Sequence, residues 1–242
     1  MKLLTFSGRN AKEILRDPLT AFFGLGFPIV LLLLLSAIQA NIPVSLFELK
    51  SLAPGMTVFG LSFMTLFSAT LIARDRESTF LQRLYTSPLT AADFIFGYAL
   101  PILPIALAQC LLCYVTALIM GLPATVNILY AALCILPVAL FFIALGLLFG
   151  SLFNVKQVGG LCGALLTNLT AWLAGIWFDL ELVGGMFKKT AYLLPFVHAV
   201  ELERAVLAGN AAAILPHLCW VLGYAAAASI AAVLVFRARN CA

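Results

Sequence analysis

The chain has 242 residues, of which 64% are hydrophobic and 10% are charged, and its formal net charge is +4. So apolar a composition excludes an ordinary soluble domain and is typical of a protein with several membrane-spanning helices. Because such helices use most of the chain, we predict an all-α membrane protein with a single transmembrane domain over residues 1–242.

The first nineteen residues predict a helix that lies in the membrane interface rather than across the membrane. Apolar and charged residues fall on opposite sides of a helix over residues 3–16. The apolar side carries Leu4, Ala11, Ile14 and Leu15, and the charged side carries Arg9, Lys12, Glu13 and Arg16. Asp17 and Pro18 end this helix before the membrane, so we assign residues 1–19 to it.

Six apolar segments follow, each long enough to cross a hydrocarbon core about 30 Å thick. They cover residues 20–40, 52–73, 94–120, 126–149, 158–178 and 211–236. None contains Asp, Glu, Lys or Arg, which argues against an ion-coupled carrier, since such carriers need ionisable groups near the membrane midplane. Pairs of glycines four residues apart predict close helix packing, within the chain or between copies: Gly146 with Gly150, and Gly159 with Gly163.

Between the second and third apolar segments, residues 74–93 form a charged island. Its apolar residues recur at helical spacing and its polar residues lie off that face, which predicts a short amphipathic helix that ends before Pro88. The apolar set is Phe80, Leu81, Leu84 and Tyr85, and the polar set is Arg76, Glu77, Gln82 and Arg83. This helix is either a simple linker at the membrane face or a docking site for another protein.

The distribution of Lys and Arg predicts how the chain is oriented, because positively charged loops stay in the cytoplasm. Of the 14 Lys and Arg residues, ten fall on the side of the two termini and of residues 74–93, and four fall on the other side. We therefore expect both termini and the charged island in the cytoplasm. Residues 179–210 are expected outside it.

The outer segment, residues 179–210, predicts a re-entrant or interfacial pair of helices, because it is too long for a simple loop and too interrupted for a span. Pro195 suits the first turn of the second helix and Gly209 suits the position after its end. His198, Glu201 and Arg204 share one face of that helix. They are candidates for an outer gate that touches a substrate, or they pair with one another at the helix surface.

A few polar residues interrupt the apolar segments. Ser62 and Thr65 lie in the second segment, and Asn168 and Thr170 lie in the fifth. Hydrogen bonds between helices explain such residues, and the alternative is a substrate pathway lined by these two segments. The C-x-x-C pair in the third segment is interpreted as small packing residues, since no strand or helix context for redox or metal chemistry accompanies it: Cys110 and Cys113.

The sequence lacks the motifs of several kinds of chemistry. It has no GxxxxGK[ST] loop to cradle a nucleotide phosphate, no HExxH motif, and no nucleophile with a recognisable base. We therefore predict that the chain is not an enzyme. If it does uphill work, the energy comes from another polypeptide.

Two stretches carry a resemblance to a known family. RDRESTFLQRLYTSPLTAADFIFG, residues 74–97, and LLPFVHAVELERAVLAG, residues 193–209, are similar to conserved stretches of type-2 ATP-binding-cassette (ABC) exporter permeases. With the N-terminal helix and six spans, the resemblance covers nearly the whole chain. The matching positions are Glu77, Arg83, Ser87, Pro88, Leu89 and Gly97 in the first stretch and Pro195, Arg204 and Gly209 in the second.

The resemblance implies partners and a location. Two such permeases, identical or related, form the membrane unit in the cell (inner) membrane among its lipids, and two separate ATPase subunits bind ATP and Mg. The chain itself holds no cofactor, and no nucleic-acid partner is expected. The resemblance also makes the charged island the coupling helix that contacts an ATPase, through Arg76, Glu77, Phe80, Leu81, Arg83, Leu84 and Tyr85, and it places the pathway between the second and fifth spans.

The apolar spans favour export of a hydrophobic or amphiphilic substrate, such as a drug, a lipid, a lipid-linked glycan or a peptide, over a small ion. A haem-exporter-like permease is a related alternative. A membrane scaffold or assembly factor that transports nothing is an alternative of a different class, and co-purification of an ATPase would separate it from an exporter.

Overall fold

The computed structural model describes residues 2–18, 22–43, 45–78 and 91–240, and in these ranges helices account for all regular secondary structure. The helix predicted at the N-terminus is present as α1 (Lys2–Leu15), and its place in the membrane interface stays a prediction. The buried residues of α1 are Phe6, Asn10 and Ile14, spaced four apart, whereas Leu4, expected on the apolar face, is exposed. The face that docks therefore centres on a polar residue, Asn10.

Five long helices follow α1 in the bundle. They are α2, with a π-helical turn at Phe22–Gly26 and an α-helix at Phe27–Gln39, then α3 (Leu49–Glu77), α4 (Ala91–Ile119), α5 (Asn127–Leu152) and, last in the chain, α10 (Ala211–Asn240). In the described ranges these are the five helices long and apolar enough to cross a membrane. They coincide with five of the six predicted spans.

The remaining predicted span, residues 158–178, corresponds to a less regular helical segment, α6. It consists of Val155–Val158, the π-helical Gly159–Leu166 and Thr167–Leu173. Lys156, Gln157 and Asn168 make it more polar than the others, and it is not among the five. A sixth crossing at α6 stays a prediction.

Three shorter helices form the outer segment. They are α7 (Leu180–Val183), α8 (Gly185–Leu193) and α9 (Pro195–Ala208). Pro195 lies in the first turn of α9, and Gly209 ends the helix in a left-handed conformation with φ of 72°. The predicted bounds of α9 are confirmed. Its residues Phe196 and Val200 are buried against the bundle.

Helix α3 is the centre of the bundle. Most of it is buried within the protein, whereas α2 and α10 expose most of their surface. Its neighbours include α5, α4, α9 and α2. Helix α1 contacts the C-terminal end of α3 and the N-terminal part of α4, and α9 contacts the other ends of these two helices. We call the end of the bundle with α1 the N-terminal face and the end with α9 the opposite face.

One of the two predicted glycine pairs forms the seam between α3 and α5. A Cβ atom added to Gly146 would lie 1.9 Å from Ser68 Oγ and 2.4 Å from the Thr65 carbonyl oxygen. A Cβ atom added to Gly150 would lie 2.5 Å from a carbonyl oxygen of α3. The first pair therefore packs within the chain. At Gly159, in the second pair, a Cβ atom would meet nothing within 4 Å.

This seam gives a first testable prediction. Gly146→Ala should destabilise the protein by about 1–3 kcal/mol, because its methyl group meets the Thr65 backbone of α3 as well as the Ser68 hydroxyl, and the backbone cannot move aside. Gly223→Ala on α10 is the matched control, since a Cβ atom there meets nothing within 4 Å. The measurement is the apparent melting temperature of both variants in detergent. Equal melting temperatures for the two variants would contradict the seam.

Candidate functional site

The N-terminal face contains a buried carboxylate held by donors from two other helices. The Arg9 guanidinium of α1 donates to both oxygens of Asp75 in α3, at 2.7 and 2.8 Å. The Tyr98 hydroxyl of α4 donates to Asp75 Oδ2 at 2.6 Å. Asp75 is only 2% exposed, so these charge-assisted bonds replace its hydration. The cluster Arg9, Asp75 and Tyr98, called the basal cluster here, joins α1, α3 and α4.

A second contact fixes α1 to α4 at a proline. Pro101 has no N–H group, so the carbonyl of Gly97, four residues earlier, lacks its usual helical partner. The Asn10 side chain of α1, fully buried, donates to this carbonyl at 3.1 Å. Gly97 also admits the Phe6 ring, since a Cβ atom there would lie 2.2 Å from it. Gly97 is one of the positions that resemble the permease family, and the close approach of α1 explains why a glycine lies there.

Arg76 and Glu77, two of the predicted coupling residues, both bind the turn between α5 and α6. Arg76 donates to the carbonyls of Gly150 and Phe153 at 2.6 and 3.3 Å, at the C-terminal end of α5. Glu77 Oε1 accepts from the Val155 N–H at 2.9 Å, at the N-terminal end of α6. The positive charge of Arg76 is favoured at the C-terminal end of α5, and the negative charge of Glu77 is favoured at the N-terminal end of α6. The other predicted coupling residues lie outside the described residues: Phe80, Leu81, Arg83, Leu84 and Tyr85.

Of the four candidate pathway residues, three are buried within the chain. Ser62 donates to the Phe59 carbonyl at 2.6 Å, Thr65 to the Phe142 carbonyl at 2.8 Å, and Thr170 to the Leu166 carbonyl at 2.8 Å. Thr65 thus bridges α3 and α5, as the packing interpretation expects. The fourth, Asn168, donates to the Ala164 carbonyl at 2.8 Å and is exposed on the surface of α6.

Two of the three candidate gate residues pair with each other at the opposite face. Arg204 donates to Glu201 Oε1 at 2.8 Å and to the Gly175 carbonyl at 3.1 Å. A longer contact of 3.4 Å reaches the Ser51 carbonyl near the start of α3. A polar cavity of about 330 Å³ lies beside this pair, and Glu48 also lines it. Arg204 therefore holds α9 to α3 and to the loop after α6.

His198, the third candidate, faces another element. Its Nδ1 lies 2.9 Å from Nδ1 of His217 in α10, and its Nε2 lies 3.0 Å from the Tyr192 carbonyl oxygen. Because a carbonyl only accepts, His198 Nε2 carries the hydrogen, and in a neutral ring Nδ1 then accepts from His217. The Trp220 ring stacks on His198 at a centroid distance of 4.8 Å. Burial lowers the pKa of His198, and the neighbouring His217 lowers it further, which favours this neutral pair.

One functional candidate was missed from the sequence. Glu203 of α9 is fully buried, and the Tyr114 hydroxyl of α4 donates to its Oε2 at 2.9 Å. Its Oε1 has no hydrogen-bond partner in the described part of the chain. Helix α9 is not one of the five candidate spanning helices. Burial raises the pKa of Glu203 to about 8. The sequence did contain a signal of this burial, because Glu203 follows Phe196 and Val200 at the spacing of one helix face.

The cysteine pair of α4 is buried as free thiols. Gln109 Nε2 donates to Cys113 Sγ at 3.3 Å, and Gln109 itself fills the space left by Gly60 in α3. Within the ranges that the structure describes, no group of three or more His, Cys, Asp or Glu side chains is placed to hold a metal ion. Cys110 and Cys113 thus lie among packed side chains.

These features define a multi-pass helical membrane protein with the N-terminal helix docked on the N-terminal face and a partly buried helix on the opposite face. The family follows from comparison with known sequences. The model of the ABC-2 type transporter family matches residues 1–208, so the chain belongs to this family of membrane permease components. The matched region runs from α1 to the last residue of α9. No curated protein matches the chain.

The basal cluster gives a second prediction. Arg9→Ala leaves a buried carboxylate without its cation and should destabilise the protein by about 1.5–3 kcal/mol. Asp75→Asn removes the same contact from the other side. Because both variants break one interaction, the double variant should be little less stable than the worse single variant. Denaturant titration measures the free energy of unfolding of each variant. If the destabilisation of the double variant equals the sum of the two single values, the two residues act independently.

Glu203 gives a prediction on pH. Burial raises its pKa to about 8 from an ordinary value of 4.5, so the folded protein keeps a proton that the unfolded chain has already released. The resulting stabilisation is complete below the unfolded pKa, falls as the pH rises, and is lost above about 8. The apparent melting temperature should therefore fall over this interval more steeply in the wild type than in Glu203→Gln. Identical slopes in the two proteins would contradict titration of Glu203.

Proposed function

We propose that this chain is the membrane subunit of an ABC exporter that moves a hydrophobic or amphiphilic substrate out of the cytoplasm. Two separate ATPase subunits bind ATP and Mg²⁺ and supply the energy, since the sequence contains no phosphate-cradling loop. Membership of the ABC-2 type transporter family supports this proposal. In the proposed orientation the protein lies in the cell (inner) membrane with both termini in the cytoplasm.

The basal cluster is the observation that carries the proposal. Residues 79–90 connect α3 to α4 in the sequence, and the cluster ties the end of α3 to α4 and to α1 through Asp75. An ATPase that grips the connecting residues therefore acts on three helices that are already bound together. A displacement at this face is passed to the bundle as one unit rather than absorbed by a loop.

Arg76 and Glu77 extend this unit to α5 and α6. In the proposed mechanism the contact with the ATPase is made by Phe80, Leu81, Arg83, Leu84 and Tyr85. Arg76 and Glu77 then pass the displacement to the α5–α6 turn, through bonds to Gly150 and Val155. Because α6 follows directly from this turn, its position depends on the end of α3.

Two cavities support an amphiphilic substrate. At the N-terminal face a cavity of about 250 Å³ lies between α1, α2 and α3. Its wall is mainly apolar, with Phe23 and Phe67 among its residues, and its rim carries Glu13, Asp17 and Arg74. Such a combination suits a molecule with an apolar body and a polar head. The polar cavity beside Arg204, at the opposite face, is the proposed exit, where Glu201 and Arg204 act as the outer gate with His198.

The exposed surface of α6 supports a second permease copy. Gly160, Ala164, Asn168 and Trp172 are exposed and spaced four residues apart, so they form one stripe along this helix. An amide exposed to hydrocarbon is costly, whereas a facing helix covers it and completes its hydrogen bonds. We infer that a second copy lies against this stripe. Asn168 then faces the pathway between the copies, and Ser62, Thr65 and Thr170 lie behind it.

The proposal predicts a complex of two permeases and two ATPases. Affinity purification of the tagged chain in mild detergent, followed by native mass spectrometry, should give this stoichiometry, and the complex should hydrolyse ATP faster than its isolated ATPase. Purification of the chain with a partner that hydrolyses no nucleotide would contradict an exporter and favour a scaffold.

The coupling residues can be tested in the same complex. Arg83→Ala and Glu77→Ala should lower the permease-stimulated ATP hydrolysis severalfold while the complex still assembles. Glu77→Gln is the matched control, because its amide oxygen still accepts from the Val155 N–H and keeps the α6 end in place. Unchanged hydrolysis in Arg83→Ala and Glu77→Ala would remove residues 74–93 from the mechanism.

A further inference from the structure

Helix α4 carries two fully buried tyrosines, and each donates its hydroxyl to a buried carboxyl group of another element. Tyr98 donates to Asp75 at the end of α3. Tyr114 donates to Glu203 in α9. The two tyrosines are sixteen residues apart, which corresponds to about 24 Å along a helix. One bond therefore lies at the N-terminal face and the other near the opposite face.

The body of α4 is suited to transmit a displacement between these bonds. Pro101 and Pro104 interrupt its hydrogen bonds close to Tyr98, and the helix continues beyond them to Ile119 without another proline. Along this part Ala106, Cys110, Cys113 and Ala117 are fully buried against neighbouring helices. These small side chains pack one face of α4 closely against its neighbours, so beyond Pro104 a shift of the helix is carried along its length.

In the part of the chain that the structure describes, α4 contacts α9 through a polar bond at Glu203. The other polar contacts of α9 lead elsewhere, since His198 binds α10 and Arg204 binds the loop after α6 and the start of α3. The hydrogen bond from Tyr114 to Glu203 joins α4 to α9, and it is buried among packed side chains. In a dry environment such a bond is strong and directional.

The unpartnered oxygen of Glu203 adds to this. Oε1 is buried and has no hydrogen-bond partner in the described ranges, whereas Oε2 accepts from Tyr114. The bond to Tyr114 therefore accounts for the hydrogen bonding of this carboxyl group in the described ranges.

From this geometry we propose that α4 is the strut that carries the nucleotide-driven displacement from the basal cluster to α9, with the Tyr114–Glu203 bond as its outer junction. The proposal rests on the proposed function, because the displacement starts at the ATPase. Tyr114 and Glu203 are positioning residues, since they act on the outer gate through α9. No substrate contact is required of either residue.

Hydrogen–deuterium exchange of the complete permease–ATPase complex tests this. Exchange is compared between the nucleotide-free state and the state trapped with ATP, Mg²⁺ and vanadate. In the wild type we expect trapping to change exchange both in residues 2–15 and in residues 195–208. Tyr114→Phe and Glu203→Ala should keep the first change and lose the second. Tyr114→Phe removes one oxygen atom only, so the fold is retained even where Glu203→Ala fails to assemble.

Two matched variants test whether the Tyr114–Glu203 bond transmits the displacement or only stabilises the fold. Glu203→Gln keeps a neutral acceptor for Tyr114 and should restore the nucleotide-dependent change in residues 195–208. Tyr130→Phe removes the hydroxyl of an exposed tyrosine on α5 and should behave as the wild type. A merely structural role of Tyr114 would alter exchange in residues 195–208 equally in both nucleotide states, and this outcome overturns the proposal.

The remaining outcomes are also decisive. If trapping changes exchange at neither end of the wild type, the proposed function fails. If it changes residues 2–15 alone in the wild type, or if Tyr114→Phe keeps the full change in residues 195–208, the strut is overturned while the exporter remains.

Discussion

The structure depends on the need to satisfy one buried carboxylate at the end of the central helix. Asp75 lies where water is excluded, and leaving its charge there without a cation would cost about 1.5–3 kcal/mol. Its donors come from α1 and α4, so neither helix can leave without exposing the charge to an apolar environment. A single residue therefore determines that α1, the central helix α3 and α4 meet at one point.

The same constraint acts on the backbone. In an apolar medium every carbonyl that a proline deprives of its partner needs another donor. At Gly97 that donor is Asn10 of α1, which explains why the buried face of α1 has an amide at its centre. The proline thus does more than bend α4, because the carbonyl that it frees becomes the docking point of α1.

Hydropathy and local signals predicted much of this fold, because they depend on neighbouring residues. Five spans follow from long apolar runs, and Pro195 and Gly209 marked the ends of α9. Contacts between distant residues were not accessible in this way. The two glycine pairs look alike in sequence, yet Gly146 and Gly150 lie tightly against the α3 backbone, whereas a Cβ atom at Gly159 would meet nothing within 4 Å. Glu203 is an ionisable residue on a face of α9 that spacing alone assigns to the core. Which side a polar residue faces is decided by its partner, and the partner is remote in sequence.

The two ends of α4 differ in chemistry, and this difference bears on where movement appears. At the N-terminal face Tyr98 binds a carboxylate that also holds the Arg9 cation, and such charge-assisted bonds are about twice as strong as neutral ones. Near the opposite face Tyr114 binds a carboxyl group whose raised pKa keeps it largely protonated at neutral pH. One oxygen of Glu203 has no hydrogen-bond partner in the described ranges, whereas both oxygens of Asp75 accept from Arg9. In the proposed mechanism the basal cluster therefore moves as a fixed unit, and the adjustment between states takes place at α9.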